Sequence, residues 1–148
     1  MVNNDDHVFR WSEILDIGKP QLNGEHREII DQMAEVQALN SHTLSKEALL
    51  AAFDELIRCT RKHFKDEEEH LEAIAYPKRE AHKRLHNSLM KSLRKYRLEL
   101  VNSVYGRFPS SVFDFFRTWM VSHIMMADKQ YAEFEATLRR PSAEPRSR

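Results

Sequence analysis

Eight histidines in a chain of 148 residues are its chemically distinctive feature, and their spacing limits what they can do. His63 and Glu67 stand four apart, as do His82 and His86. On a helix that spacing puts two side chains on one face, where both can reach a common centre. His123 and Asp128 stand five apart, about 140 degrees round an ideal helix. They converge only if Asp128 reaches across or if a local wide turn shifts the register. His26 adds a further imidazole. Imidazole nitrogens and carboxylate oxygens together suit iron, zinc, manganese or copper, and the absence of cysteine from the set removes the soft-metal options.

Such groups act together only if the chain carries them to one place. Breakers are few: Gly18 and Pro20 interrupt the entry segment, and Asn23 is placed to cap a helix running to about Asn40. A polar loop follows, from Asn40 through His42 to Leu44, and Ser45 caps a second helix from Lys46 to about Ala73. Tyr76-Pro77 ends it, with Pro77 in the first turn of a third helix to about Tyr105. Gly106 is the expected stop, and Ser110 or Ser111 opens a fourth helix to about Arg139. No alternating Val/Ile/Thr run and no Asn-Gly or Asp-Gly turn supports a strand. The expected fold is all-α: an antiparallel up-down-up-down four-helix bundle over residues 22–139. An irregular arm over residues 1–21 precedes it, packing through Phe9, Trp11, Ile14 and Ile17, and a disordered tail covers 140–148.

Each helix should bury one apolar stripe. The first reads His26, Ile29, Ile30, Met33, Val36, Asn40, and the second reads Leu49, Phe53, Leu56, Thr60, His63, Glu67, His70. The third reads His82, Leu85, His86, Leu89, Leu93, Tyr96, Leu100. The fourth reads Val112, Phe116, Trp119, Met120, His123, Ala127, Tyr131, Phe134, Leu138. Every stripe carries an imidazole, early in the odd helices and late in the even ones, so an up-down bundle brings them into one layer. Each buried polar group left unsatisfied would cost roughly 2 kcal/mol. Metal ions remove that cost by taking up the lone pairs.

Lysine plus arginine and aspartate plus glutamate both total 23, a neutral balance that argues against a nucleic-acid binder. No stretch approaches the roughly 20 apolar residues of a membrane span, and the start is not a secretory signal. A single cysteine, Cys59, excludes an internal disulfide and fits a reducing, cytoplasmic compartment.

With these motifs in place, the chain resembles the hemerythrin family, specifically the bacterial hemerythrins. The family pattern HFxxEE, YP, HxxxH reads here as His63 to Glu68, Tyr76-Pro77 and His82 to His86. Its last element, a tryptophan followed by HIxxxDxxY, reads as Trp119 and His123 to Tyr131, and the first ligand element reads Asn23-Gly24-Glu25-His26. The resemblance implies a non-haem di-iron centre. One iron takes His82, His86 and His123, the other His26 and His63, with Glu67, Asp128 and an oxo or hydroxo group bridging both. The second iron then keeps one open position, and the implied function is reversible dioxygen binding for storage, delivery or scavenging. The alternatives are an oxygen or redox sensor acting through a partner, and a di-iron enzyme acting on peroxide or nitric oxide.

Beside the ligands, Ile30, Phe64, Trp119 and Met120 are assigned to the dry wall of an oxygen pocket. Tyr76 and Tyr131 are candidates for hydrogen bonds to the ligand shell. His70, where the family usually has an apolar residue, sits a turn from Glu67 and is a third candidate to tune the site from just outside the ligands, with a place at the bundle end in partial solvent contact as the simpler expectation. In the acid run Asp66 to Glu69 only Glu67 is expected to face inward, the others forming a solvated surface. No function is assigned to His7, His42 or Cys59, and Met120 to Met126 is read as core filler.

Overall fold

The computed structural model describes residues 9–42 and 45–139. The expected tail at 140–148, the first part of the arm with His7, and Thr43 and Leu44 lie outside them. Among the described residues every regular element is helical. These are a 3-10 turn, Glu13–Leu15, then α1 Pro20–His42, α2 Lys46–Ala73, α3 Arg79–Asn102 and α4 Ser110–Ser122. A π-helical segment, His123–Asp128, leads directly into α5 Lys129–Arg139. Because α4 and α5 are one rod interrupted by the π segment, the architecture is the expected four-helix bundle, with α1 packed on α2 and α2 on α3.

Local chemistry explains most boundaries and corrects several. Pro20 opens α1, a position where its missing N–H costs nothing. Asn23 therefore lies inside the helix and is no cap. Its Oδ1 accepts from the Ile17 N–H at 3.1 Å and its Nδ2 donates to Asp16 at 2.7 Å, tying the arm to the first turn. α1 also runs past Asn40 to include His42. The Asn40 amide reaches across the far end instead, donating to the Phe108 carbonyl at 3.0 Å and accepting from its N–H at 2.7 Å. Ser45 caps α2 as expected, its hydroxyl accepting from the Ala48 N–H at 3.1 Å.

α2 ends in a Schellman turn: Tyr76 N–H donates to the Leu71 carbonyl and Ala75 N–H to that of Glu72, both at 3.0 Å. Ala75 takes the left-handed position at φ 52, where glycine is the usual occupant. Pro77 falls in the turn before α3, which starts at Arg79 and stops at Asn102. Gly106, at φ 64, shapes the following loop rather than ending the helix.

The core is continuous. At the far end Phe53, Phe108, Phe113 and Phe116 pack ring against ring. Phe9 and Ile17 of the arm are buried as expected, but Leu15 is buried in place of Ile14, which is 56% exposed. The 3-10 turn packs on the π segment, and Arg27 and Arg117 lie over the Trp11 and Phe9 rings at 4.9 Å. Among the described residues no helix is long and apolar enough to cross a membrane.

Candidate metal centre

All seven expected ligand side chains meet in one buried layer, each no more than 5% exposed. The convergence of His123 with Asp128 is achieved by the wide turn. The Lys129 N–H donates to the Ile124 carbonyl, five residues back, so the segment from His123 to Asp128 is π-helical. Residues five apart then share a face. The same insertion rotates the remainder of the rod: Ile124 and Glu135 are buried, whereas Leu138 is 58% exposed and not on the core stripe as expected.

Two groups of donors form, and Glu67 belongs to both. Its Oε1 lies 2.6 Å from His82 Nε2, 2.9 Å from His86 Nε2 and 3.7 Å from His123 Nε2. Its Oε2 lies 3.2 Å from His63 Nε2 and 3.8 Å from His26 Nε2. Asp128 divides the same way. Oδ1 stands 3.1 Å from His82 and 3.0 Å from His123, and Oδ2 stands 3.0 Å from His26. Each carboxylate thus turns one oxygen to a cluster of three imidazoles and the other toward a cluster of two.

The donors fit a metal better than they fit one another. His26 Nδ1 and Nε2, His63 Nε2 and both Asp128 oxygens are buried without a hydrogen bond, although several lie about 3 Å from a potential partner. One ligand atom from each residue of a cluster lies within 4.8 Å of the others, close enough to surround one ion. About 3 Å is also the spacing of neighbouring donors on one ion with bonds of about 2.1 Å. Unmet buried groups cost roughly 1–3 kcal/mol each, a cost that ions taken up between them would remove.

Without metal, protons do part of that work. Burial disfavours the His63 cation, yet the charge of Glu67 and the hydrogen bond to Glu25 outweigh it and push the ring up to about 10. His123 is likewise pushed up to about 9, with Asp128 as the main opposing charge to burial. In His86 burial prevails and the flanking His123 and His82 add to it, so its pKa falls. Burial would raise Glu67, but the His63 cation and surrounding imidazoles hold it well below the carboxylate range.

The surroundings of the ligands were only partly foreseen. Tyr131, fully buried, donates its hydroxyl to Glu67 Oε2 at 3.0 Å. Burial and the charges of Glu67 and Asp128 drive its pKa upward, so it remains a donor. Tyr76 packs edge-on against Tyr131 and Phe134, contacting rings rather than ligands. His70 is half-buried, bonded to Glu135 at 2.8 Å and edge-on to Tyr131. Glu135 also pairs with Lys19 and Arg139.

Two carboxylates escaped the reading of the sequence. Glu25 Oε1 holds His63 Nδ1 at 2.9 Å and Glu68 Oε1 holds His86 Nδ1 at 3.0 Å. Glu68 therefore corrects the expectation that only Glu67 of the acid run faces the site. Each immediately neighbours an expected ligand in sequence, His26 or Glu67, and an acid beside an expected ligand is the signal that could have found them. Such carboxylates fix the tautomer and direction of a ligating imidazole. Leu85 is also corrected: it is 49% exposed, while Met90 is buried in α3.

Of the assigned wall residues, Phe64 stacks on His86 with centroids 3.7 Å apart, and half-buried Trp119 stacks on His123 at 5.2 Å. Ile30, one turn after His26, and Met120, one turn before His123, are buried.

Comparison with known proteins identifies the family. The family model of the hemerythrin HHE cation binding domain matches residues 19–134. A bacteriohemerythrin of Clostridium acetobutylicum is 25% identical over 129 residues, covering 85% of this chain and 100% of its own. One of Stenotrophomonas maltophilia is 30% identical over 127 residues, covering 83% and 78%. A myohemerythrin of Theromyzon tessulatum is 22% identical over 123 residues, covering 83% and 90%. The chain belongs to the hemerythrin family.

Proposed function

We propose that the protein binds dioxygen reversibly at two iron ions held by His26, His63, Glu67, His82, His86, His123 and Asp128. Members of the family bind oxygen at a non-haem di-iron site. The observation that carries the reading is the division of the two carboxylates, each with one oxygen toward His82 and His123 and the other toward His26 or His63. A single ion would need no such division. Iron held here would supply the electrons when dioxygen is taken up and recover them when it is released.

The chain's own part is to hold, orient and keep dry. His82, His86 and His123 with the two carboxylates offer one ion five donors. His26 and His63 with the same carboxylates offer the other four. The one with fewer imidazoles has more room for an added ligand. Tyr131 pins Glu67 by its hydroxyl, so the carboxylate keeps one oxygen toward each cluster. Phe64, Trp119, Ile30 and Met120 supply an apolar wall that slows the entry of water and protons. Among the described residues the acid–base groups around it are already engaged: Tyr131 by Glu67, Glu25 by His63, Glu68 by His86 and His70 by Glu135. This favours binding over catalysis.

The test is a cycle. Iron-loaded protein, reduced and exposed to oxygen, should colour and then bleach on degassing over repeated rounds. Irreversible oxidation in one exposure would contradict the carrier reading and support a sensor or enzyme.

A further inference from the structure

The chain's zero net charge conceals an uneven distribution. α3 alone carries seven lysines and arginines against two acids, Glu80 and Glu99. On its α2 side lies a groove of about 320 Å³, rimmed by Arg61, Lys65 and Arg94 and floored by Phe64, His86 and Met90. Arg61 and Arg94 are exposed and make no ion pair among the described residues, whereas Arg58, Lys62 and Arg97 each do. The facing acids are already used: Glu68 holds His86 at 3.0 Å, and Glu69 lies 3.7 Å from Lys65. Beneath this rim the His86 ring reaches from the groove floor to the metal cluster, stacked face to face on Phe64.

We propose that the α2–α3 groove is the docking surface for an acidic one-electron carrier protein that re-reduces the centre. The inference rests on the di-iron reading above. A ferric pair returns to the ferrous state by gaining two electrons, so two carriers each lose one, in successive encounters. Electron-transfer partners meet through small interfaces, and charge complementarity steers them and fixes their orientation. Three cations around a ligand imidazole fit an acidic partner, and Arg61 and Arg94 give up no ion pair with a described residue in meeting it.

The probe is a plant-type [2Fe–2S] ferredoxin, acidic and with a reduction potential of about −400 mV. Binding of the oxidised ferredoxin is measured calorimetrically on the iron-loaded and metal-free proteins at two salt concentrations. Reduction of the ferric protein by reduced ferredoxin is then followed by stopped flow. Arg61→Glu and Arg94→Glu should each weaken binding and slow reduction by at least about tenfold, as expected when repulsion replaces complementarity. Arg107→Glu, the same charge change in the α3–α4 loop, should stay within about twofold, and binding should weaken as salt screens the surface. Undiminished thermal melts keep the comparison valid, with Arg61→Gln and Arg94→Gln as milder variants showing the same order. No binding at low salt, an equal loss in Arg107→Glu, or tighter binding of a DNA duplex through the same arginines would overturn the proposal. Iron content and oxygen cycling are measured on the same preparations. Protein that cycles oxygen but ignores the ferredoxin refutes the docking surface alone, and protein that holds no iron refutes the reading beneath it.

Discussion

Replacing Glu25 should weaken one metal position and spare the other. Its carboxylate, about nine-tenths buried, holds His63 Nδ1 at 2.9 Å, so the opposite nitrogen is the one left to meet a metal. Loss of an outer carboxylate of this kind costs about 10–100-fold in metal affinity, or about 1.4–2.7 kcal/mol. Glu25→Ala should therefore weaken the position built from His26 and His63 by that factor. The position built from His82, His86 and His123 is held by its own carboxylate, Glu68, and should change less than about threefold, since no ligand of its own loses a partner. Glu25→Gln keeps an acceptor but not the charge. Charge-assisted hydrogen bonds are about twice as strong as neutral ones, so its effect should be about half as large in free energy. Glu25 also pairs with Lys62 at 3.1 Å. That pair is exposed on the lysine side and worth at most about 1 kcal/mol, so Lys62→Met serves as a control with little effect. Anaerobic titration of ferrous ion against a competing chelator resolves the two steps. Equal weakening of both steps, or no weakening in Glu25→Ala, would refute the assignment of Glu25 to one metal.

Other outcomes rest on the same geometry. Ala75→Gly should stabilise the fold by about 1 kcal/mol, because Ala75 occupies a left-handed position at φ 52; a fall in Tm would refute the Schellman assignment. In the chelator-treated protein, His63 and His123 are pushed up to about 10 and 9, and His82 is raised too. Their contribution is complete below the ordinary histidine value of 6.5 and is lost as pH rises through 9 to 10. Glu67 and Asp128, lowered by the imidazolium charges around them, lose their contribution as pH falls below the carboxylate range. Thermal melts should therefore show the metal-free protein weakening from pH 6.5 to 10, and strengthening over that range would contradict this. Burial pushes the Cys59 thiol up to about 12. At pH 8 only about one part in ten thousand is then thiolate, so a thiol reagent should label the native protein far more slowly than the unfolded one.

The bundle and its ligand layer were legible because their signals are short-range. Four-residue spacings put His63 with Glu67 and His82 with His86 on one face whatever surrounds them. The wide turn was legible only as a condition: His123 and Asp128 do not converge on an ideal helix, so one of two distortions was needed, and the sequence did not choose. That unresolved register is why Leu138 was placed inside and Glu135 was not. Asn23 misled because a capping residue at a helix start looks the same whether it caps its own helix or holds the preceding arm. Glu25 and Glu68 were missed because their roles depend on contacts 38 and 18 residues away in the chain. Within their own helices both read as charges beside a ligand. Leu85 shows the converse, since an apolar residue beside His86 falls toward solvent once both flanking imidazoles take the core.

The most direct measurement is anomalous diffraction at the iron edge from crystals of anaerobically reconstituted protein. Two iron peaks are predicted, one among Glu67, His82, His86 and His123, the other among His26, His63, Glu67 and Asp128, with both carboxylates spanning them. A single peak, a peak away from these seven side chains, or no peak in protein that crystallises with the layer intact would contradict the account.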